Sequence, residues 1–261
     1  MRFVRFATKD LGERYGWMMG EKVGLLEGDL FGEYRRLEAN YELRTVRLLP
    51  PVKASKIVCM GRNYTEHAKE HGVEVPETPL IFLKPPSAVI GPEEVVVLPP
   101  QSVKVEHEAE LVLVIGKKGR WIPVEDTMSY IFGYTVGNDV TARDLQFKDG
   151  QWTRSKGFDT FCPIGPWIET ELDASDTLIT CRVNGELRQM ASSREMVFTI
   201  PQIVAYISSI MTLEPGDLIF TGTPAGVGPL EDKDEVVVEI EGIGSLHNPV
   251  SRTAVNPFGK K

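Results

Sequence analysis

Three closely spaced carboxylates are the first candidates for chemistry in this chain. Glu106, Glu108 and Glu110 alternate with other residues in the segment EHEAELVLVIGK. If this segment is one strand, the three side chains share a face, because successive side chains of a strand point to opposite sides. The apolar run that follows predicts entry into the core, where unpaired carboxylates are costly. A hard divalent cation such as Mg2+, which prefers oxygen ligands, would resolve that conflict.

Asp139 is a candidate third ligand for such a cation. It ends the apolar segment GYTVGN and precedes TARDLQ. The alternative interpretation is that Asp139 caps a helix over TARDLQ, since aspartate is favoured at that position. The E-x-E spacing likewise has an alternative, a solvated strand edge, and spacing by itself leaves both alternatives open.

A second group of possible metal ligands lies near residue 70. His67, Glu70 and His71 fit the pattern H-x-x-E-H, an inverted zinc-peptidase motif. On a helix the two histidines would lie one turn apart and could bind Zn2+, with Glu70 as general base. Gly72 follows immediately, so the helix is short for such a site. A His71→Ala change would abolish a zinc peptidase, which makes the two interpretations separable.

The elements that must position these residues are mostly strands. Residues 1–52 predict a small β-rich unit, with Leu49-Pro50-Pro51 as a linker. Residues 53–261 predict a larger domain in which strands outnumber short helices. We therefore expect a mixed β fold, with a rolled or sandwiched sheet carrying a few helices.

Some local patterns are specific enough to place individual elements. Asn184-Gly185 within CRVNGELRQM predicts a hairpin turn. PQIVAYISSIM predicts a helix, because proline suits the first turn and the apolar residues follow at helical spacing. Helical character is also expected over residues 63–71. The stretch FTGTPAGVG is not a phosphate-binding loop, since it lacks the Lys-Ser/Thr of that motif.

Composition excludes several classes of function. The net charge of −8 gives no general attraction to nucleic acid or anionic membranes. No apolar run approaches the ~20 residues of a membrane-spanning helix, and the N-terminus does not resemble a secretory signal. The three cysteines are scattered, without a C-x-x-C pair, which argues against a disulfide framework. A cytoplasmic protein without nucleic-acid or membrane partners is expected.

Seven motifs in order make the chain resemble the fumarylacetoacetate hydrolase family, and in particular its bacterial acylpyruvase and 2-hydroxyhepta-2,4-diene-1,7-dioate isomerase-like members. Together they cover nearly everything after residue 54, and their order is far more specific than any one of them. The motifs are GRNYTEHAKE, FLKPPSAVIG, HEAELVLVIGK, GYTVGNDVTARDLQ, WTRSKGFDTFCPIGPW, VNGELRQ and FTGTPAGVG.

The resemblance implies a β-roll catalytic domain, a homodimer, and bound Mg2+ or Mn2+. It places the metal ligands on Glu108, Glu110 and Asp139, and it leaves Glu106 outside the pattern. It also implies a catalytic lysine, a water-activating His–Glu dyad and substrate-binding residues. These fall, respectively, on Lys156, on His67 and Glu70, and on Arg143, Gln146 and Thr223.

The function implied by the resemblance is metal-dependent chemistry on small 2-oxo acids. Hydrolysis of a C–C bond in acylpyruvate or fumarylpyruvate-type substrates is expected first. Isomerisation or decarboxylation of 2-oxo or 2-hydroxy-diene dioates, including oxaloacetate decarboxylation, is the close alternative. A zinc peptidase and a non-catalytic metal-binding scaffold are further alternatives.

Overall fold

The computed structural model of the chain describes residues 1–252, and most of them form strands. The final nine residues of the predicted 53–261 domain lie outside this range. Within residues 1–252, no helix combines the length and hydropathy needed to cross a membrane. The expected mixed β fold with a few short helices is confirmed.

Strands and α-helices are numbered separately in chain order. The strands are β1 (Arg2–Thr8), β2 (Gly12–Met19), β3 (Lys22–Gly28), β4 (Tyr34–Glu42), β5 (Arg47–Leu49), β6 (Ile57–Gly61), β7 (Leu80–Lys84), β8 (Val89–Ile90), β9 (Val96–Leu98), β10 (Val105–His107), β11 (Ala109–Ile115), β12 (Ile131–Asn138), β13 (Thr141–Ala142), β14 (Cys162–Glu169), β15 (Leu178–Val183), β16 (Glu186–Ser192), β17 (Leu218–Phe220), β18 (Gly228–Pro229), β19 (Glu235–Ile240) and β20 (Gly244–Arg252). The helices are α1 (Thr65–Glu70), α2 (Arg143–Asp149), α3 (Thr153–Lys156) and α4 (Ile200–Ile210). Short 3-10 helices occupy Leu43–Thr45, Pro86–Ala88, Val124–Tyr130 and Ser193–Glu195.

The strands form three sheets. The large sheet runs β4-β3-β2-β1-β14-β12-β11-β17-β6-β7, with β5 paired to β1 and β8 paired to β14. A five-stranded sheet runs β16-β15-β19-β20-β9, and a small one runs β13-β10-β18. The large and five-stranded sheets face each other across a core that α4 also enters.

Strand β11 lies at the centre of this packing, and every one of its residues is buried. Leu111 and Leu113 point into the core shared with the five-stranded sheet, whereas Val112 and Val114 point into a second core on the opposite face. A strand covered on both faces needs apolar residues at successive positions. This explains why the sequence LVLVI is continuous rather than alternating.

The N-terminal strands continue the large sheet. Strand β1 pairs antiparallel with β14, with Phe3 opposite Ile168. The terminal ammonium of Met1 lies 2.7 Å from a carboxylate oxygen of Glu169. Phe3 and Phe31 both pack against Phe132 of the larger part. Residues 1–52 are therefore joined to the rest through backbone pairing as well as side-chain packing.

Three of the local predictions are confirmed. The hairpin turn lies at Asn184-Gly185, between β15 and β16, and both residues have positive φ. Helix α4 has Pro201 in its first turn and a capping box between Thr199 and Gln202. Helix α1 lies inside the helical region expected over residues 63–71.

The single strand expected over the glutamate segment is wrong, because it divides at Glu108. Strand β10 belongs to the small sheet, whereas β11 belongs to the large one. At the division, the Glu108 N–H donates to the Asn138 side chain, at 2.9 Å, instead of continuing a strand ladder. The chain thus changes sheets at one of the predicted metal ligands.

Candidate active site

The candidate site is a cleft lined by α1, α2 and α3. The end of β6, strand β7, the junction between β10 and β11, and the loop after β17 complete its wall. Six of the predicted site residues line it, namely His67, Glu108, Arg143, Gln146, Lys156 and Thr223.

Glu108, Glu110 and Asp139 converge beside this cleft. Each offers an oxygen within 4.8 Å of the other two, and all three side chains are buried. The antiparallel register of β11 and β12 sets Ala109 opposite Asn138. The Asp139 N–H donates to the Glu108 carbonyl at 2.8 Å, which holds the start of β11 against the end of β12. The alternative interpretation of Asp139 as a helix cap is wrong, because α2 begins at Arg143 with Ala142 in the cap position.

Lysine side chains surround the carboxylates. The Lys156 ammonium lies 2.7 Å from Glu108 Oε2 and 2.6 Å from Asp139 Oδ2. Lys84 Nζ donates to Asp139 Oδ1 and to the Val140 carbonyl. Both lysines are almost wholly buried, and burial of such ions is tolerated only when they are paired.

Arg143 links Glu108 of the carboxylate trio (Glu108, Glu110 and Asp139) to Glu106. Its Nε lies 2.6 Å from Glu106 Oε2, and its Nη2 donates to Glu108 Oε1. Its Nη1 donates to Gln146 Oε1 at 2.5 Å, so Arg143 and Gln146 share one helix face as their spacing allows. Glu106 is thus a partner of Arg143 and lies outside the carboxylate trio, as the resemblance implied.

Charge is unevenly distributed over the trio. Burial tends to raise the pKa of Glu108, but the Lys156 and Arg143 charges lower it well below its ordinary value. The pKa of Glu110 is raised well above its ordinary value by burial, and further by the Asp139 and Glu108 charges. The Glu110 Oε2 atom accepts from the Gly222 N–H at 2.6 Å, whereas its buried Oε1 has no hydrogen-bond partner within residues 1–252.

These features fit a divalent metal ion. The donor set is entirely oxygen, which suits Mg2+ or Mn2+. A buried polar atom without a partner is costly, and Glu110 Oε1 is such an atom among residues 1–252, in a side chain that converges with two further carboxylates. A bound cation would give this oxygen a partner and would lower the pKa of Glu110.

His67 and Glu70 lie together on α1. The His67 Nδ1 and Glu70 Oε2 atoms are 3.4 Å apart, but the two groups are not aligned for a hydrogen bond. Both Glu70 oxygens instead lie 3.2 Å from the Gly226 nitrogen. Burial lowers the pKa of His67 to about 4, and the imidazole is therefore neutral at pH 7.

Thr223 follows β17 in the loop that also carries Gly222. Its hydroxyl donates to the Ala109 carbonyl at 2.9 Å and accepts from Gln189 Nε2 at 2.8 Å. These bonds fix the loop against the start of β11. Thr223 therefore both stabilises its loop and borders the cleft.

Sequence reasoning missed two buried residues of the site. Lys84 was not singled out, although a lysine within the apolar strand LIFLK is an unusual pattern that could have pointed to it. Asn63 was missed as well. Its amide donates to the Thr221 carbonyl at 2.7 Å and accepts from the Phe198 N–H at 2.8 Å, which holds the loop after β17 in place.

Comparison with known proteins is consistent with this geometry. Residues 56–251 match the family described as fumarylacetoacetate (FAA) hydrolase C-terminal, and residues 1–51 match one described as Rv2993c-like, N-terminal. The chain is 53% identical over 216 residues to Protein Rv2993c of Mycobacterium tuberculosis, covering 82% of each chain.

Two further relatives have names that state a reaction. The chain is 46% identical over 215 residues to the mitochondrial oxaloacetate tautomerase FAHD2A of Homo sapiens, covering 78% of this chain and 68% of that protein. It matches the crystal structure of 2-hydroxyhepta-2,4-diene-1,7-dioate isomerase from Mycobacterium marinum with a TM-score of 0.91 and 45% identity, covering 98% of this chain and 100% of that one. The chain is therefore a member of the fumarylacetoacetate hydrolase family, a family of enzymes.

Proposed function

We propose that this chain is a divalent-metal-dependent enzyme that moves a proton at C3 of a small 2-oxo dicarboxylate. The reaction would be a keto–enol tautomerisation or the related shift of a double bond. The observation that carries the proposal is a neutral, buried histidine that lines the cleft together with Glu108, one of three converging carboxylates. The names of two relatives, an oxaloacetate tautomerase and a hydroxy-diene dioate isomerase, describe this kind of chemistry.

In this proposal Glu108, Glu110 and Asp139 hold Mg2+ or Mn2+. When bound, the cation supplies Lewis acidity that stabilises negative charge on the 2-oxo oxygen of the substrate. Lys156 and Lys84 hold Asp139 in place, because their ammonium groups lie against its two oxygens. The Lys156 and Arg143 charges keep Glu108 ionised by lowering its pKa.

The cations of the cleft would bind and orient the anionic substrate. Arg143 presents a guanidinium beside the carboxylates, and Gln146 holds one of its nitrogens in place. Lys156 would complement negative charge that develops on the substrate oxygen. Thr223 also lines the cleft, and its hydroxyl oxygen can contact a polar group of the substrate.

His67 would transfer the proton. Its neutral imidazole can accept a proton from C3 of the keto form, and the enol oxygen then takes up a proton from the imidazolium or from water. Burial lowers the pKa of His67 to about 4, so the base form is available throughout the neutral range.

A substrate panel tests this proposal. Oxaloacetate, hydroxy-diene dioates and acylpyruvates would be followed by ultraviolet absorbance with Mg2+, with Mn2+ and with EDTA. We expect metal-dependent interconversion of the dioates, and a loss of about 100-fold or more in kcat for His67→Asn. His247→Asn, a histidine outside the cleft, is the matched control and should keep its activity. Unchanged turnover in His67→Asn would contradict the proton-transfer role, and no turnover with metal bound would favour a scaffold.

Hydrolysis of a C–C bond in acylpyruvates is the second candidate. It is favoured by the proximity of Glu70, whose Oε2 lies 3.4 Å from His67 Nδ1 and could orient the imidazole toward water. Hydrolysis of an acylpyruvate would release pyruvate, whereas tautomerisation releases nothing. Glu70→Gln should therefore reduce pyruvate release while leaving tautomerisation nearly intact. Oxaloacetate decarboxylation is identified in the same panel by its release of CO2.

A further inference from the structure

A second group of possible metal ligands contains two histidines that line the same cleft, His67 and His71. His67 and Glu70 belong to α1, and His71 follows it directly. Each of the three offers a ligand atom within 4.8 Å of the other two. The two imidazole rings meet edge to face, with centroids 4.7 Å apart. Helix α1 and the residue that follows it thus place two imidazole groups and one carboxylate close together.

Two ring nitrogens of this group have no hydrogen-bond partner in the part of the chain that the structure describes. They are His67 Nδ1 and His71 Nε2, both buried, and the His67 side chain is almost wholly buried. Buried polar atoms nearly always have a partner, so two unpaired ring nitrogens in a group that also contains a carboxylate need an explanation. A metal ion shared among the three residues provides one.

The donor chemistry indicates which metal. Two imidazole nitrogens with one carboxylate oxygen form a ligand set that suits Zn2+ and leaves a further position open. Mg2+ prefers all-oxygen surroundings, such as the Glu108, Glu110 and Asp139 trio. The two sets therefore differ in the ions they select.

We propose that His67, Glu70 and His71 form a second metal site, selective for Zn2+ or a similar transition-metal ion, whose occupation inhibits the enzyme. The nearby positive charges of Arg143 and Lys156 are matched by Glu106, Glu108 and Asp139, so they do not leave the cleft positively charged. Glu70 is held in position by the Gly226 N–H, which orients the carboxylate and leaves further lone pairs free.

Inhibition is expected because His67 would serve both as a ligand of this metal and as the base that transfers the proton. A metal on His67 Nδ1 would fix the ring, and the positive charge would make the imidazole a poorer proton acceptor. This part of the inference rests on the proposed function, in which His67 moves the proton. Binding of the metal does not depend on it.

Metal binding by the full chain tests the site. The metal-free protein would be saturated with Mg2+ and then titrated with Zn2+ by calorimetry, and with Co2+ by visible absorption. We expect one further equivalent to bind, and we expect His71→Ala to weaken this binding at least ~10-fold. Glu110→Gln should keep the nitrogen-coordinated Co2+ absorption, because it changes only the oxygen site. If His71→Ala binds Zn2+ and Co2+ as the unchanged chain does, the site is refuted.

The inhibitory role has its own measurement. Activity with Mg2+ is recorded over a Zn2+ titration, and each variant is referred to its own activity without Zn2+. We expect the concentration for half-inhibition to rise at least ~10-fold in His71→Ala, in step with the loss of affinity. Zn2+ that binds at His71 without affecting turnover would refute inhibition and the role of His67, while the metal site itself would stand.

Discussion

Among single residues, Glu110 differs most clearly from its two carboxylate neighbours. Glu108 and Asp139 are each paired with buried cations, whereas Glu110 has only the Gly222 N–H on one oxygen. Burial, together with the Asp139 and Glu108 charges, raises the pKa of Glu110 well above its ordinary value and so favours its neutral form. Metal binding would instead favour the ionised carboxylate.

This difference makes Glu110→Gln the cleanest test of the metal ligands. The glutamine amide is neutral, like the carboxyl form that the raised pKa of Glu110 favours, so the fold should survive. Removal of the Asp139 charge would instead take away the carboxylate partner of Lys84 and leave Lys156 paired with Glu108 alone. We expect Glu110→Gln to weaken Mn2+ binding by ~100-fold or more, measured by calorimetry. Glu106→Gln is the matched control and should leave Mn2+ affinity nearly unchanged. Equal losses in both variants would contradict the assignment.

At the level of elements, the loop after β17 positions Glu110. Gly222 has a φ of +96°, and a Cβ placed there would lie 2.7 Å from the Asn63 Cβ. Asn63 cannot move freely, since its amide binds both Thr221 and Phe198. The loop thus requires glycine both for its backbone conformation and for its close approach to Asn63.

We expect Gly222→Ala to displace the N–H that binds Glu110 Oε2. Overpacking of this kind costs about 1–3 kcal/mol of folding free energy, measured by urea denaturation. Mn2+ affinity should fall as well, because Glu110 loses the bond that orients it. Gly185→Ala is a matched control, since its φ is +80° but no atom lies within 4 Å of the added Cβ. If both variants bind Mn2+ like the unchanged chain, the loop does not position Glu110.

A second element-level contact gives a pH-dependent prediction. His247 on β20 contacts Glu93 at 2.8 Å and also contacts Glu235 on β19. Burial alone would lower the pKa of His247, but the two glutamates raise it above its ordinary value. A raised histidine pKa stabilises the fold below the unfolded value of about 6.5, and this stabilisation disappears as pH rises through the folded value.

His247→Gln should therefore matter more in acid than in base. We expect the unfolding free energy of the variant to be lower by up to about 1 kcal/mol near pH 5.5, because the contact is partly exposed. Near pH 8.5 the difference should shrink, as the imidazole becomes neutral. Urea denaturation at both pH values measures this, with Glu93→Gln as a partner variant. A difference that is constant with pH would show that the ion pairs contribute little.

At the level of the whole molecule, the first strands extend the sheet that carries the site. Strand β1 covers the edge of β14, and β14 pairs with β12, which leads to Asp139. We propose that residues 1–52 form a unit of their own, joined to residues 53–261 through this sheet. Every proposed metal ligand lies in the second unit.

Removal of residues 1–52 should therefore impair folding more than metal binding by the folded protein. The truncated chain would expose the β14 edge and Phe132, whose ring packs against Phe3 and Phe31. We expect a lower unfolding temperature and aggregation in size-exclusion chromatography, with Mn2+ binding kept by whatever fraction stays folded. A full-length chain with Pro50-Pro51 changed to Gly-Gly controls for the linker. A monodisperse truncated chain with an unchanged unfolding temperature would contradict the proposal.

The sequence by itself determined the fold class and identified the three carboxylates that converge beside the cleft. Continuous apolar residues in LVLVI, the Asn-Gly turn and the proline at the start of α4 each act locally, so they could be interpreted without coordinates. The E-x-E spacing and the order of the motifs likewise identified Glu108, Glu110 and Asp139.

Only the tertiary structure decided how these groups are paired. Lys84 and Lys156 are distant in sequence from Asp139 and from each other, and only the packing of α3 against β7 and β13 brings them to its two oxygens. The break at Glu108 also escaped local reasoning, because it depends on which sheet pairs with each half of the segment. Ion pairing and strand pairing join residues remote in sequence, and composition and periodicity carry no record of such contacts.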